Sequence, residues 1–430
     1  MLLRTLALAA TLLLFTPQDP PARRFAPGEK DQGLPQVGAL WAPYHADPEH
    51  RLNRIFRALF LAELAPAEIA AVLPREHGDD AAFFAVGWVH AKRAGEARDR
   101  RLFGGDGRQL PREGFSAAES AHLLAELEAL APDDREALLA PAELAVLFQH
   151  DLLRTAQRLL DTEENPELLP ALQRAARFVA LDERERAALA DPLARALATP
   201  AAREHFARRG LGELAELAEH ADARYRELLR RSTRLFDAEK TLLWSRLWLA
   251  HPEGPRALET LLDSIATPGA TPSAPIGLRA ILLQGIVALG PDGAPFATPV
   301  VIDVRTQHLA NRDELSYANP SFTRDGIDFG ILLLEREGLR RGDPQHFYRV
   351  VEPDDQELFR DYGTLKHATY RAQCSLCHRN TGTPEPELGG FPVLRAHAKP
   401  ELARTGLERL RLAETEMQRF LARFPAAKGE

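Results

Sequence analysis

Thiols are almost absent from this 430-residue chain, which has two cysteines, both within residues 374–378. That excludes a disulfide-stapled scaffold, which spaces its cysteines along the whole chain. Methionine is as rare, with Met1 and Met417 alone, so a site needing a thioether has few places to find one. Lysine is scarce too: there are six, and arginine supplies the other 48 of the 54 basic side chains. Charge of positive sign is in deficit, and a formal net charge of −8 is the wrong sign for a nucleic-acid binder, whose footprint is basic. Long hydrophobic runs are missing as well, and no H-E-x-x-H, P-loop or G-x-S-x-G signature occurs.

The sequence does have an export design at its start. Arg4 supplies a positive charge, residues 6–15 are apolar except for Thr11, and Thr16-Pro17-Gln18-Asp19-Pro20-Pro21 breaks any helix. The run falls short of the roughly 20 residues that span a bilayer but fits the apolar region of a signal peptide. Residues 1–16 are therefore expected to be a signal peptide. Because no clear A-x-A site precedes Gln18, an uncleaved N-terminal anchor is the alternative, and only then is a membrane involved. The expected location is the periplasm or cell envelope.

Patterning divides the rest. Residues 17–48 read as a Pro/Gly-rich linker. Residues 49–263 follow helical periodicity almost throughout, with Ser116-x-x-Glu119, Asp133-x-x-Glu136 and Asp182-x-x-Glu185 as expected capping boxes. Leu123, Leu124, Leu127 and Leu130 recur at helical spacing, as do Leu211, Leu214 and Leu217. Trp244 and Trp248, four apart, read as a packing stripe on a helix. No fixed repeat period stands out, so a helical bundle and an irregular solenoid both remain open. Residues 264–278 form a second Pro/Gly linker and the best domain boundary.

Residues 279–353 change character. The aliphatic runs 281–289 and 299–309 flank Pro291-Asp292-Gly293, a turn signal, and predict a β-hairpin with Ile302, Val304 and Thr306 on one face. Residues 329–334 and 346–351 are further strand candidates, the first fitting a buried helix equally well. From Asp354 to Tyr370 a helical pattern returns, and a last helix is expected over 402–424. The fold class expected is mainly α: an N-terminal helical bundle or solenoid, a small β-containing segment, and a helical haem-binding domain over 354–430.

The chemistry lies in Cys374-Ser375-Leu376-Cys377-His378, a C-x-x-C-H motif. Thiols at i and i+3 lie about one helical turn apart and can bond the two vinyl groups of one macrocycle. The next side chain, His378, then reaches the iron from the same side as proximal ligand. This spacing is the signature of c-type haem attachment, and its chance occurrence in a chain with two cysteines is on the order of one in several thousand. A thioredoxin-like redox pair, a zinc site recruiting His397, and a plain disulfide are the rival readings.

The flanks carry a resemblance. Tyr370 to His378 resembles the haem-binding segment of class I cytochromes c, where an amphipathic helix with an aromatic residue leads into the motif. Pro386-Glu387-Leu388-Gly389-Gly390 is similar to that family's P-x-L-x-G loop, which implies a backbone carbonyl accepting from the His378 Nδ1–H. The last helix resembles the family's terminal helix, which packs on its N-terminal one. The likeness covers residues 354–424 only. It departs from the family at the distal ligand, because no methionine stands in the usual loop.

Candidates for that ligand rank by reach. His367 lies eleven residues before His378, about 16 Å along one continuous helix. His397 follows the Pro386–Gly390 loop with ample chain and ranks first; Met417, inside the last helix, ranks second. His308, His346 or an open site are the remainder. The other histidines read as surface or core residues, including His45 and His50, whose spacing suits no single helical face. From Arg360 to Glu430 the chain has twelve basic and eight acidic side chains, a balance that suits docking to an acidic redox partner. The expected function is that of an exported mono-haem electron carrier with a protein partner, more a redox module than a stand-alone enzyme. A haem enzyme or gas sensor with an open distal site, and a helical scaffold with a redox or zinc C-x-x-C, are the alternatives.

Overall fold

The computed structural model describes residues 42–60, 62–64, 101–103, 114–208, 211–215, 217, 224–229, 242–267, 270, 273–309, 327–351, 356–361, 364–369, 401–402 and 406–424. The order of elements begins with α1 (Arg51–Phe60), the strand pair β1 (Ala62–Leu64) and β2 (Arg101–Phe103), and α2 (Ala117–Glu128). Then come α3 (Pro132–Leu138), α4 (Glu143–Thr162), α5 (Leu169–Phe178), α6 (Glu183–Ala187), α7 (Pro192–Ala198) and α8 (Pro200–Arg208). Strands β3 (Arg226–Leu229) and β4 (Leu243–Ala250), helix α9 (Pro255–Ala266), and strands β5 (Arg279–Leu289), β6 (Pro295–Leu309) and β7 (Ile327–Leu334) follow. Helix α10 (Arg336–Arg341), β8 (Tyr348–Val350), β9 (Gln356–Asp361), β10 (Thr364–Thr369), β11 (Glu401–Leu402) and α11 (Gly406–Leu421) complete it.

A mainly α fold is overturned. A seven-stranded antiparallel sheet, ordered β11-β3-β4-β5-β6-β7-β8, forms the centre of an α+β architecture. Two of its strands, β3 and β4, lie inside the stretch 49–263 expected to be helical. The reason is periodicity: a spacing of four is one helical turn, but it is also two strand repeats. Trp244 and Trp248 share a face in either state, and cross-strand pairing with Gly285 and Ile281 on β5 decides for the strand. The sheet also runs across residues 264–278, since β4 before and β5 after that stretch pair from Leu243↔Ile286 to Ala250↔Arg279.

The hairpin forms as expected. β5 and β6 pair around Pro291-Asp292-Gly293, where Gly293 takes φ +77, a region open to glycine. Register steps from Gln284↔Asp303 to Gly285↔Val301, so Ile302 is the extra residue of a bulge. Residues 354–370, expected to be helical, instead supply the antiparallel pair β9–β10 in register Thr364↔Asp361 to Thr369↔Gln356. Only Tyr362 and Gly363 separate the paired ends, and a glycine in a two-residue connection is a hairpin signal.

Two apolar layers sandwich the sheet. On one face Leu247 and Leu249 of β4 pack with Leu258, Leu261 and Leu262 of α9. On the other, Trp244, Trp248, Val300 and Val304 join a core that extends through α4 to Tyr44 and to Met417 of α11. The alternation of strand side chains produces this division. Helix α4 is the hub: every residue from Glu143 to Gln157 is buried. Such a stretch is enclosed on all sides, and a polar side chain on it is costly unless it finds a partner inside the protein. Gln149 does so by accepting from Leu289 N at 2.7 Å and donating to Leu289 O at 3.1 Å and Ala176 O at 2.8 Å, which ties α4 to the end of β5 and of α5.

Two expected capping boxes are present, at Ser116 with Glu119 and Asp182 with Glu185. The third is displaced: α3 starts at Pro132, and Asp134 reaches back to Ala131 N at 2.9 Å. Proline fits the first helical position because its missing N–H would have no partner there.

Candidate functional site

The residues Cys374, Cys377, His378 and His397, together with the Pro386–Gly390 loop, lie outside the described residues. So do residues 1–41, with the expected signal segment. What brackets the motif is described. The chain enters from the end of β10 at Thr369 and returns at β11, where Glu401 and Leu402 pair with Leu229 and Leu228 on the edge strand β3. Up to Thr369, then, the stretch expected to be an amphipathic helix is a strand.

Met417 sits on α11 with 0% exposure, in the core with Ala413, Phe420 and Phe424. Helix α11 packs against β4, β5 and β6, whereas the family resemblance implied packing on another helix. The Met417 thioether is thus a packing group of the main core. His367 lies on β10 opposite Leu358, and His308 on β6 opposite Arg279 and Asp328. His346 is exposed, with its Nδ1 2.6 Å from Asp343 Oδ2, and this hydrogen bond holds the Asp343 carboxyl below its usual range. Among the described residues no group of three or more His, Cys, Asp or Glu is placed to hold a metal ion.

The structure assembles a second constellation that patterning did not find. Tyr44, Asp151 and Arg336 meet in the core although 107 and 185 residues separate Asp151 from the other two. The Tyr44 hydroxyl donates to Asp151 Oδ2, Arg336 Nη2 donates to Asp151 Oδ1 at 2.7 Å, and Arg336 Nε donates to the Tyr44 oxygen at 2.8 Å. Asp151 is 0% and Tyr44 1% exposed. Aromatic edges close the surround, with Phe148 5.0 Å and Phe56 5.9 Å from the Tyr44 ring. The guanidinium carbon of Arg336 lies 5.5 Å from the Phe56 centroid.

Burial dominates the electrostatics here. It pushes the Asp151 carboxyl up to about 6, against the downward pull of the Arg336 charge and of the Tyr44 hydrogen bond. It also raises the Tyr44 hydroxyl well above its usual value, which keeps Tyr44 a donor. Beside them His150 is fully buried, and among the described residues neither ring nitrogen has a hydrogen-bond partner. Desolvation, then the Arg154 and Arg336 charges, hold its imidazole neutral. Groups this thoroughly covered hold chain segments together; they do not present themselves to a solute. The sequence signal was the polar triplet Gln149-His150-Asp151 between the apolar runs 144–148 and 152–153, but its partners lie too far along the chain to be read locally.

A third cluster opens the described chain. The rings of His45 and His50 stack with centroids 3.8 Å apart and planes 22° from parallel. Their spacing of five suits no helical face because only His50 adjoins α1; His45 belongs to the preceding loop. Asn53, 0% exposed, holds that loop by accepting from Tyr44 N at 2.9 Å and His45 N at 3.2 Å while donating to His45 O and Asp47 O.

Among the described residues no helix is long and apolar enough to cross a membrane. Comparison of the chain with protein-family models, with curated proteins and with solved structures finds no match.

Proposed function

We propose that this protein is an exported mono-haem c-type redox protein, with haem thioether-linked to Cys374 and Cys377 and His378 as proximal iron ligand. The observation that carries this reading is the C-x-x-C-H motif in a chain with no other cysteine. The donor set fits the group: two thiols three positions apart in sequence and an imidazole at the next position are the donors that covalent haem attachment and proximal ligation need. When bound, haem supplies reversible one-electron transfer. The chain's own part is to fix the proximal imidazole, cover the ring and present a docking surface. The basic excess from Arg360 to Glu430 supports an acidic protein as partner, and the apolar N-terminal run supports export.

The reading rests on the motif first; the resemblance of Tyr370–His378 and Pro386–Gly390 to class I cytochromes c adds to it, while β10 before the motif and α11 packed on the sheet depart from that family's helical arrangement. With the Met417 thioether committed to the core, His397 is the distal ligand of this proposal.

The test is expression of the full chain with a c-type maturation system. A pyridine haemochrome spectrum and haem stain that survives denaturation are expected, both lost in Cys374→Ala with Cys377→Ala. No retained haem overturns the reading. Low-spin bands that become high-spin in His397→Ala support His397. High-spin, carbon monoxide-sensitive bands in the unaltered protein replace electron transfer by an open-site haem function.

A further inference from the structure

The stacked histidines have the chemistry of a proton sensor. Each ring accepts a backbone N–H at Nδ1, His45 from Asp47 at 3.1 Å and His50 from Leu52 at 3.4 Å. An imidazole accepting there carries its proton on Nε2 and is neutral. A second proton turns the acceptor into a donor and breaks that backbone hydrogen bond. If both rings take one, two like charges face each other at stacking distance.

The charged groups around the pair do not cancel that repulsion. Asp134 of α3 lies 3.8 Å from His50 Nε2, but Arg51 already holds it at 2.6 Å, and it also accepts from Ala131 N. Glu126 of α2 is engaged by Arg51 and Arg54. Asp47 and Glu49 belong to the loop itself, where Asp47 accepts from Glu49 N at 2.9 Å and Glu49 faces Arg57. Desolvation first, and then the neighbouring His45, hold the His50 imidazole below its usual value, while Asp134 and Asp47 pull the other way.

We propose that the His45–His50 stack is a proton-sensitive clasp that fastens the loop of residues 42–50 to Asn53 and opens on acidification. Opening frees the backbone of Tyr44 and His45 from Asn53 and loosens the segment that delivers the Tyr44 hydroxyl to Asp151. The sign follows from His50. The closed loop binds a proton less readily than the open one, so the stack's contribution is present above the ordinary histidine value of about 6.5. It is lost as pH falls through the lowered value. Asp151 cannot produce this loss, because its raised value makes acidification favour the closed core.

Hydrogen exchange measured by mass spectrometry on the full chain tests the clasp independently of haem. Peptides covering residues 42–53 are followed from pH 7.5 to 5 and corrected for intrinsic exchange. Opening is expected to increase about fivefold or more, the factor for two unit charges near 4 Å in water. The increase is expected to vanish in His45→Gln and His50→Gln and to persist in His122→Gln, an exposed histidine beside Glu126. A flat profile in the unaltered protein overturns the proposal, as does the same slope in peptides of α4, or an unchanged slope in both variants.

Discussion

The indole of Trp244 occupies the space that any side chain at Gly285 would need. A Cβ built on Gly285 falls 2.1 Å from Trp244 Cζ2 and 2.3 Å from Cε2, while Trp244 Nε1 donates to Thr298 O at 2.8 Å. Strand β4 thus lays a ring over its β5 partner at the bulge, and only glycine permits it. Gly285→Ala is expected to push the indole off Thr298 and destabilise the fold by about 1–3 kcal/mol. Denaturant unfolding and the tryptophan emission maximum check this; unchanged stability and emission would remove the packing argument.

Asp151 sets a pH dependence of known sign. Its carboxyl is raised from 3.8 to about 6 in the fold, so the folded state binds its proton more tightly than the unfolded one. Its contribution is complete below about pH 4 and is lost as pH rises through 6. The stability difference between the unaltered protein and Asp151→Asn should shrink across that window by about 3 kcal/mol. Thermal unfolding from pH 4 to 7 measures it, and a difference constant with pH contradicts the assignment.

Arg336 and Asp151 should behave as one unit. Arg336→Met leaves a buried carboxylate without its cation and is expected to cost about 3–5 kcal/mol. Combining it with Asp151→Leu removes both charges from the same place and should recover part of that loss. A double-mutant cycle decides, and purely additive effects would mean that the two groups are not coupled.

Met417 distinguishes packing from ligation. In the core described, Met417→Leu should cost less than about 1.5 kcal/mol and Met417→Ala about 2–5 kcal/mol. Neither change should alter the spectrum of covalently bound haem. A spectral change with Met417→Leu would make the thioether an iron ligand after all.

Gln149 offers a check on the sheet's attachment to α4. Both its amide groups serve the backbone of Leu289. Gln149→Leu strands that buried N–H and is expected to cost about 1–3 kcal/mol. Hydrogen exchange at the end of β5 should rise in step, and unaltered protection there would show that the amide is dispensable.

How much could be read from the chain alone depended on the range of the signal. Pro291-Asp292-Gly293 between aliphatic runs specified the β5–β6 hairpin, because turn chemistry and alternation act within a few residues. Ser116 with Glu119 and Asp182 with Glu185 specified two helix starts for the same reason. Trp244 and Trp248 misled, because a spacing of four satisfies both periods. The stretch 354–370 misled because its helical pattern overlooked Tyr362-Gly363, which separates β9 from β10.

What the sequence by itself determined is the hairpin, those two caps and a C-x-x-C-H motif whose five adjacent residues carry their chemistry in their spacing. The seven-stranded sheet, the core position of Met417, the His45–His50 stack and the meeting of Tyr44 with Asp151 and Arg336 were decided by tertiary structure. The physical reason is that caps and turns are satisfied by neighbours along the chain. A strand or a buried charge is satisfied only by groups the finished fold brings to it, here from as far as 292 residues away.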